Sequence, residues 1–345
     1  MGQDRVVCPW DSGDIVSEDE DDEWFYSSIK LYQHLYMFSI NLSPSCMSQS
    51  PDSKSLALAD SVRGQLEVYS LPGKLVALTQ EEEGLTSNRD FALVSGSVEC
   101  GQVMSVEHLD QHNIVTTHED SQEVRVWSWQ QGDDLIEKTE NLCCCDFQPR
   151  GTSVSDTSDS RSSVIVFGDH HVARTFRGDM RLDSRRLSTA GSVTSVLSSE
   201  ESVTWVSDDQ GTVTTLDWRQ SSPAQVRRLG QDSVLRSQVV RSDDARVKLV
   251  TLDTCGVLSV WETRDSGPVV SADLGAGVDQ FSVGGGDVAV SQSCGVLVFD
   301  INNLNKKFHH KGHRSTVTHV FSHPVIHNLV ISSDSKHNLH AWVYH

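Results

Sequence analysis

The sequence predicts an all-β fold, a seven-bladed β-propeller. Three observations carry this expectation. A strand–turn–strand unit recurs seven times along the 345 residues. The copies are spaced close to the length of one four-stranded blade. The hydrophobic residues, 37% of the chain, fall in short β-branched runs, none near the ~20 residues of a membrane helix.

The unit is a β-branched strand, a polar Asp/Gly/Ser turn and a second strand ending in a large side chain. In chain order the copies are KSLALADSVRGQLEVYSL, HNIVTTHEDSQEVRVWSW, SSVIVFGDHHVARTF, ESVTWVSDDQGTVTTLDWR, RVKLVTLDTCGVLSVWET, GDVAVSQSCGVLVFDI and the closing blade. Their landmarks are Tyr69, Trp127, Phe176, Leu216-Asp217, Trp261, Phe299 and Trp342, spaced 58, 49, 40, 45, 38 and 43 residues apart. The later spacings match a 40–45-residue blade, and the longer early ones carry loops.

Such units have to stack. A four-stranded sheet cannot bury both its faces alone, so neighbours cover one another, and a ring leaves few exposed edges. The last copy, GHRSTVTHVFSHPVIHNLVISSDSKHNLHAW, opens on Gly312-His313 and ends at Trp342, the Gly-His … Trp-Asp signature of a WD repeat. A buried Trp needs a partner for its N–H. His313 and Ser332 are in place to serve it. Lys336, however, stands at the usual position of the turn aspartate, and whether Asp334, two residues earlier, substitutes stays open.

The ends read differently from the middle. Trp24, Leu31, Leu35 and Phe38 share one helical face, which predicts a short helix within Asp22–Phe38 behind the carboxylates Glu18–Glu23. The strand FSINL follows. Only three residues follow Trp342, so the last blade needs a strand from elsewhere, and Met37–Leu42 is the expected one. Residues 1–21 are read as an acidic, disordered tail and 22–345 as one propeller. Residues 1–24 hold nine acids and one base, whereas residues 305–345 hold five Lys/Arg, one acid and nine histidines.

Charge and cysteine usage bound the function. A formal net charge of -20 repels phosphate backbones and anionic lipid, and favours a basic protein surface as partner. Eight cysteines, three of them consecutive at Cys143–Cys145, suit neither a disulfide framework nor a zinc site. They read as thiols in a reducing compartment, cytosol or nucleus. The N-terminus lacks the features of a secretory signal, and Val6 stands where a myristoylation motif wants Ser or Thr.

Catalytic motifs are missing: no G-x-S-x-G, H-E-x-x-H, Walker loop or G-x-G-x-x-G follows a strand. No catalytic, metal or cofactor residues are therefore assigned, and the many C-terminal histidines are read as solvated or internal to the blade. Arg150–Ser163 reads as a surface loop. Arg185-Arg186-Leu187-Ser188 resembles a basophilic kinase site, making Ser188 a candidate for phosphorylation.

EWFYSSIKLYQHLYMFSINL at one end and KGHRSTVTHVFSHPVIHNLVISSDSKHNLHAW at the other together look like the WD repeat-containing protein 73 family. RDFALVSGSVECGQVMSVEHL resembles that family's second blade. The resemblance implies a non-catalytic cytoplasmic adaptor that associates with Integrator endonuclease subunits nine and eleven before nuclear import. It also implies a link to microtubule organisation and spindle poles, through tubulin-associated factors. A reader of basic or modified peptides at the channel mouth is the remaining alternative. No binding residue transfers from the resemblance.

Overall fold

The computed structural model describes residues 32–60, 62–72, 91–98, 101–119, 121–130, 137–144, 147–156, 162–176, 179–187, 191–200, 203–220, 223, 225–229, 234–241, 247–262, 267–323 and 326–345. Among the described residues, twenty-eight strands form seven four-stranded antiparallel sheets, and the fold is an all-β, seven-bladed propeller. The first described strand is β1 (Tyr32–Ser39). Blade one holds β2 (Cys46–Gln49), β3 (Ser55–Asp60), β4 (Gln65–Ser70) and β5 (Ala92–Ser97). Blade two holds β6 (Val103–His108), β7 (Asn113–His118), β8 (Ser121–Ser128) and β9 (Glu137–Cys144). Blade three holds β10 (Gly151–Asp156), β11 (Ser162–Phe167), β12 (His171–Phe176) and β13 (Asp179–Arg186).

Blade four holds β14 (Val193–Glu200), β15 (Val203–Asp208), β16 (Thr212–Asp217) and β17 (Gln225–Arg228). Blade five holds β18 (Val234–Arg241), β19 (Val247–Asp253), β20 (Val257–Glu262) and β21 (Val270–Asp273). Blade six holds β22 (Phe281–Gly284), β23 (Asp287–Gln292), β24 (Gly295–Asp300) and β25 (Lys306–His310). Blade seven holds β26 (Val317–Ser322), β27 (Leu329–Asp334) and β28 (Asn338–Tyr344), with β1 as its fourth strand. Each landmark residue of the sequence lies on the third strand of its blade.

Two compact units are distinguished: residues 1–43, 255–260 and 270–345, and residues 44–254 and 261–269. In the larger unit, apolar clusters join neighbouring blades. Leu66 and Val68 pack with Ile114 and Trp127, Val124 and Val126 with Val164 and Val166, and Ile165 and Val172 with Leu216 and Trp218. Val213 and Leu229 pack with Trp261. The outward and inward faces of each inner strand thus serve two blades, as small sheets require.

In the smaller unit, Val296, Val298 and Phe308 of blade six pack on Trp342, Tyr344 and Tyr32 of blade seven. Here β1 runs antiparallel to β28, from Tyr32 opposite Tyr344 to Ser39 opposite Asn338. An N-terminal strand does close the last blade, but it is Tyr32–Ser39 and not Met37–Leu42. Of the expected helix, residues 32–38 are strand, and residues 22–31 lie outside the described residues, as do the acidic residues 1–21. Tyr32, Leu35, Tyr36 and Phe38 suit either period; pairing of seven residues with the open edge of β28 decides for strand. The cysteine reading also needs correction. Cys46 and Cys255 lie outside disulfides, but Cys294 is disulfide-bonded.

Candidate functional site

A dense polar site lies inside blade seven. Trp342 is fully buried, and its Nε1 donates to Ser332 Oγ at 3.2 Å. Ser332 Oγ is 2.8 Å from His313 Nε2, and His313 Nδ1 is 3.2 Å from Asp334 Oδ2. The register sets this up: Ser332 lies opposite His340, so Trp342, two residues on, crosses diagonally to it.

The carboxylate is Asp334, and Lys336 takes no part beyond its backbone. Asp334 ends β27 and its Oδ1 accepts from the Lys336 amide at 2.9 Å and the Asn338 amide at 3.0 Å. Oδ2 meets His313 and also accepts from Asn338 Nδ2 at 3.0 Å. Burial works against its charge, but hydrogen bonds from His313 and Asn338 prevail and hold its pKa below the usual carboxylate range. Asp208 folds the matching turn of blade four in the same way, accepting from the Gln210 and Thr212 amides.

The other blades keep parts of this network. Trp127 Nε1 donates to Thr116 Oγ1 at 2.7 Å, and His118 Nε2 is 2.8 Å from the same hydroxyl. Trp261 Nε1 donates to Thr251 Oγ1 at 2.9 Å. In blade four the buried side chain at the landmark is Leu216, and Trp218 makes the bond instead, to Thr204 Oγ1 at 2.7 Å. Thr204 lies opposite Leu216, so the same diagonal is moved two residues along the strands. Asp217 pairs with exposed Arg219 at 2.8 Å, and the hydrogen bonds from Arg219 lower its pKa to about 2.

The remaining singled-out residues fall as follows. Tyr69 is buried, with its hydroxyl donating to Glu67 Oε2 at 2.5 Å. Phe299 is buried in β24. The backbone of Phe176 pairs with Ser163 and Asp179, while its side chain and Ser188 lie outside the described residues. Of the residues preceding Ser188, Leu187 is buried and Arg185 is spent on blade four, its Nη2 donating to Trp218 O at 2.9 Å.

Two more of the C-terminal histidines, His310 and His340, join His313. Candidate metal-binding atoms of His310, His313 and His340 all lie within 4.8 Å of one another. His310 Nε2 is 3.0 Å from His340 Nδ1, and His310 Nδ1 is 2.8 Å from the Tyr32 hydroxyl. The His313 and His340 rings are stacked, with centroids 3.8 Å apart and planes within 9°. Stacked rings aim their nitrogens side by side rather than at one point, and both His313 nitrogens already have partners. The arrangement suits a buried hydrogen-bonded core better than a metal centre. Burial lowers the pKa of all three, to about 3 for His340, so they pack as neutral rings.

A second constellation lies in the larger unit. Ser48 Oγ of β2 accepts from the His108 amide at 3.0 Å and donates to Glu107 Oε2 at 3.2 Å. Burial raises the Glu107 pKa to about 7 and lowers that of His108 to about 4. These polar contacts tie blade one to blade two.

No family model matches the chain. The chain is 25% identical over 112 residues to the Integrator complex assembly factor WDR73 of Danio rerio, a match covering 32% of this chain and 30% of that relative. Among solved structures, that of Raptor from Chaetomium thermophilum superposes with a TM-score of 0.70 at 15% identity, covering 90% of this chain and 28% of Raptor. The matches thus span less than a third of the length of either protein. The chain is a seven-bladed β-propeller that resembles WDR73 over part of its length, and the likeness to Raptor concerns the fold alone.

Proposed function

We propose that this protein is a non-catalytic scaffold that helps assemble the Integrator complex in the cytoplasm, holding its endonuclease subunits nine and eleven. The observation that carries this reading is the partial match to an Integrator assembly factor. The internal chemistry supports it. The candidate acid–base groups, His313 with Asp334 and Glu107 with Ser48, are spent on joining strands and blades: burial accounts for the shifts of His313 and Glu107, and internal hydrogen bonds for that of Asp334. A chain charge of -20 would steer encounter with basic partner surfaces.

The test is co-purification of the two subunits, together and singly, with the tagged full chain at near-physiological salt. Recovery of the pair, with an on-rate that falls as salt rises, supports the reading. Failure to recover either subunit removes the Integrator assignment and leaves a scaffold with another partner.

A further inference from the structure

Blade seven carries an exposed basic patch on an otherwise strongly acidic protein. Among residues 305–345 the five Lys/Arg face a single acid, Asp334, which is buried and bound to His313. Lys306 and Lys307 begin β25, and Lys307 is committed to Asp287 and Asp300, at 2.6 Å and 3.1 Å. Lys311 and Arg314 follow the end of that strand, on the segment joining β25 to β26, and Lys336 is in the turn between β27 and β28. These last three cations are exposed, and none forms an ion pair among the described residues.

The backbone beneath the patch is fixed from inside the blade. Along the segment, buried His310, His313 and Ser315 are followed in turn by exposed Lys311, Arg314 and Thr316. Gly312 lies so close to the buried rings that a Cβ there would be 2.6 Å from His310 and 3.3 Å from His340. His313 is held by Ser332 and Asp334, and Asp334 also fixes the turn through the Lys336 amide at 2.9 Å. The Ser335 amide donates to Thr316 O at 2.9 Å. One buried network thus sets the segment and the turn side by side, with the exposed residues Thr316 and Ser335 at the join. Cations on a backbone fixed in this way lose less freedom on binding than cations on a mobile loop, and the two hydroxyls add donors beside them.

Unpaired cations attract carboxylates and phosphates alike, and the extent of the patch decides between them. It is confined to one short segment and one turn. A long polyanion would run off it onto a protein of net charge -20 and be repelled there. A short carboxylate run, about one acid for each cation, ends before it meets that field, which is screened within about 8 Å at physiological salt.

We propose that the Lys311, Arg314 and Lys336 patch is a docking surface for a short Asp/Glu-rich segment of another protein. Basic partner surfaces and this acidic segment then address different parts of the molecule. The inference does not depend on the Integrator reading, and its test uses no Integrator subunit.

The probe is a fluorescent hexaglutamate peptide, its anisotropy followed on the full chain at about 0.15 M salt, where local cations act and distant charge is muted. K311E/R314E/K336E should weaken its binding roughly tenfold or more. K54E/R63E/K306E makes the same change in net charge at exposed sites elsewhere and should leave binding within about twofold. Zero-length carbodiimide coupling to the unaltered chain should join the peptide to Lys311 or Lys336, as mapped by mass spectrometry. Thermal melts of both variants establish that each is folded. Absence of binding, equal weakening by the two variants, or coupling confined to other lysines overturns the proposal. Tighter binding of an oligothymidylate of equal charge, lost in K311E/R314E/K336E, also overturns it and makes the patch a nucleic-acid surface.

Discussion

The guanidinium of Arg227 lies 5.2 Å above the ring of Trp261. Arg185 stands 4.7 Å above Trp218 in the same relation. Each arginine is on the fourth strand of one blade, and each tryptophan belongs to the next. The indole N–H is turned edgewise to a threonine, so its face is free for a cation and for the arginine's apolar stem. Backbone carbonyls complete the contact: Arg227 Nη1 donates to Glu262 O at 3.2 Å, and Arg185 Nη1 to Asp217 O at 3.1 Å. One side chain thereby clasps two neighbouring sheets.

Arg227→Ala should destabilise the fold by about 1–2 kcal/mol in urea unfolding, from lost stacking, packing and one hydrogen bond. Arg227→Met keeps the stem and should recover roughly half of that loss. A methionine variant as stable as the parent would show that the cation contributes nothing.

Trp342→Ala and Trp261→Ala should each cost about 3–5 kcal/mol, the usual cost of emptying a buried aromatic site. Trp342→Phe should cost less, since it retains most of the packing against Phe308 and Tyr344 and gives up the bond to Ser332. Losses below about 1 kcal/mol for both alanine variants would mean that neither ring anchors its blade.

The blades were legible because strand alternation and a large third-strand side chain are local signals. What sequence reading missed depends on register. Asp334 looked two residues out of place against Lys336, but the turn needs its carboxylate at the end of the second strand, where one oxygen serves two amides. His310 and His340 meet only because adjacent blades set their strands side by side, and no local pattern announces that. Tyr32–Phe38 fits helix and strand alike until β28 offers an edge. The arginine clasps did leave a trace: Arg185-Arg186 and Arg227-Arg228 recur one blade apart, each on a fourth strand, although nothing local says which ring they cover.

The turns predict a stabilising change. After Asp208 and Asp253, the third following residue is Gly211 or Gly256, at φ 71 and 84. After Asp334 it is His337, at φ 64, a left-handed conformation that costs a side-chain-bearing residue about 1–2 kcal/mol. Its Nδ1 is buried without a hydrogen bond. His337→Gly should therefore raise stability, by up to about 1 kcal/mol once glycine's greater unfolded-state entropy is offset. A lower melting temperature would show that the imidazole's packing outweighs the strain.

Two opposite pH dependences are built into the blades. Glu107 has its pKa raised to about 7, so the fold favours its protonated form. That stability is full below the unfolded value near 4.3 and is lost as pH rises through 7. Glu107→Gln should thus stabilise by about 1–3 kcal/mol at pH 8 and little at pH 4. The histidines act in reverse. With His340 lowered to about 3 and His108 to about 4, their contribution is full above about 6.5 and is lost as pH falls toward those values. Each adds a slope of about 1.4 kcal/mol per pH unit in that window. Urea unfolding of Glu107→Gln and of its parent from pH 4 to 8 separates the two, and a pH-independent difference between them would refute the carboxyl assignment.

The strongest test of closure is removal of β1. Deleting residues 1–39 strips β28 of its partner from Asn338 to Tyr344 and takes away the Tyr32 ring. That ring packs edge-on against Phe308, with centroids 5.1 Å apart, and its hydroxyl holds His310 at 2.8 Å. The loss leaves a buried imidazole nitrogen unpaired, worth about 1–3 kcal/mol, an emptied aromatic site, worth about 3–5 kcal/mol, and an open apolar edge prone to pairing between molecules. A typical domain has only about 5–15 kcal/mol in all. The 1–39 deletion should therefore melt far earlier and aggregate, as light scattering would register. Deleting residues 1–21 leaves β1 whole and should change stability by less than about 0.5 kcal/mol. If the longer deletion melts with the parent, β1 contributes nothing to holding blade seven, and the contacts of Tyr32 with His310 and Phe308 are without energetic consequence.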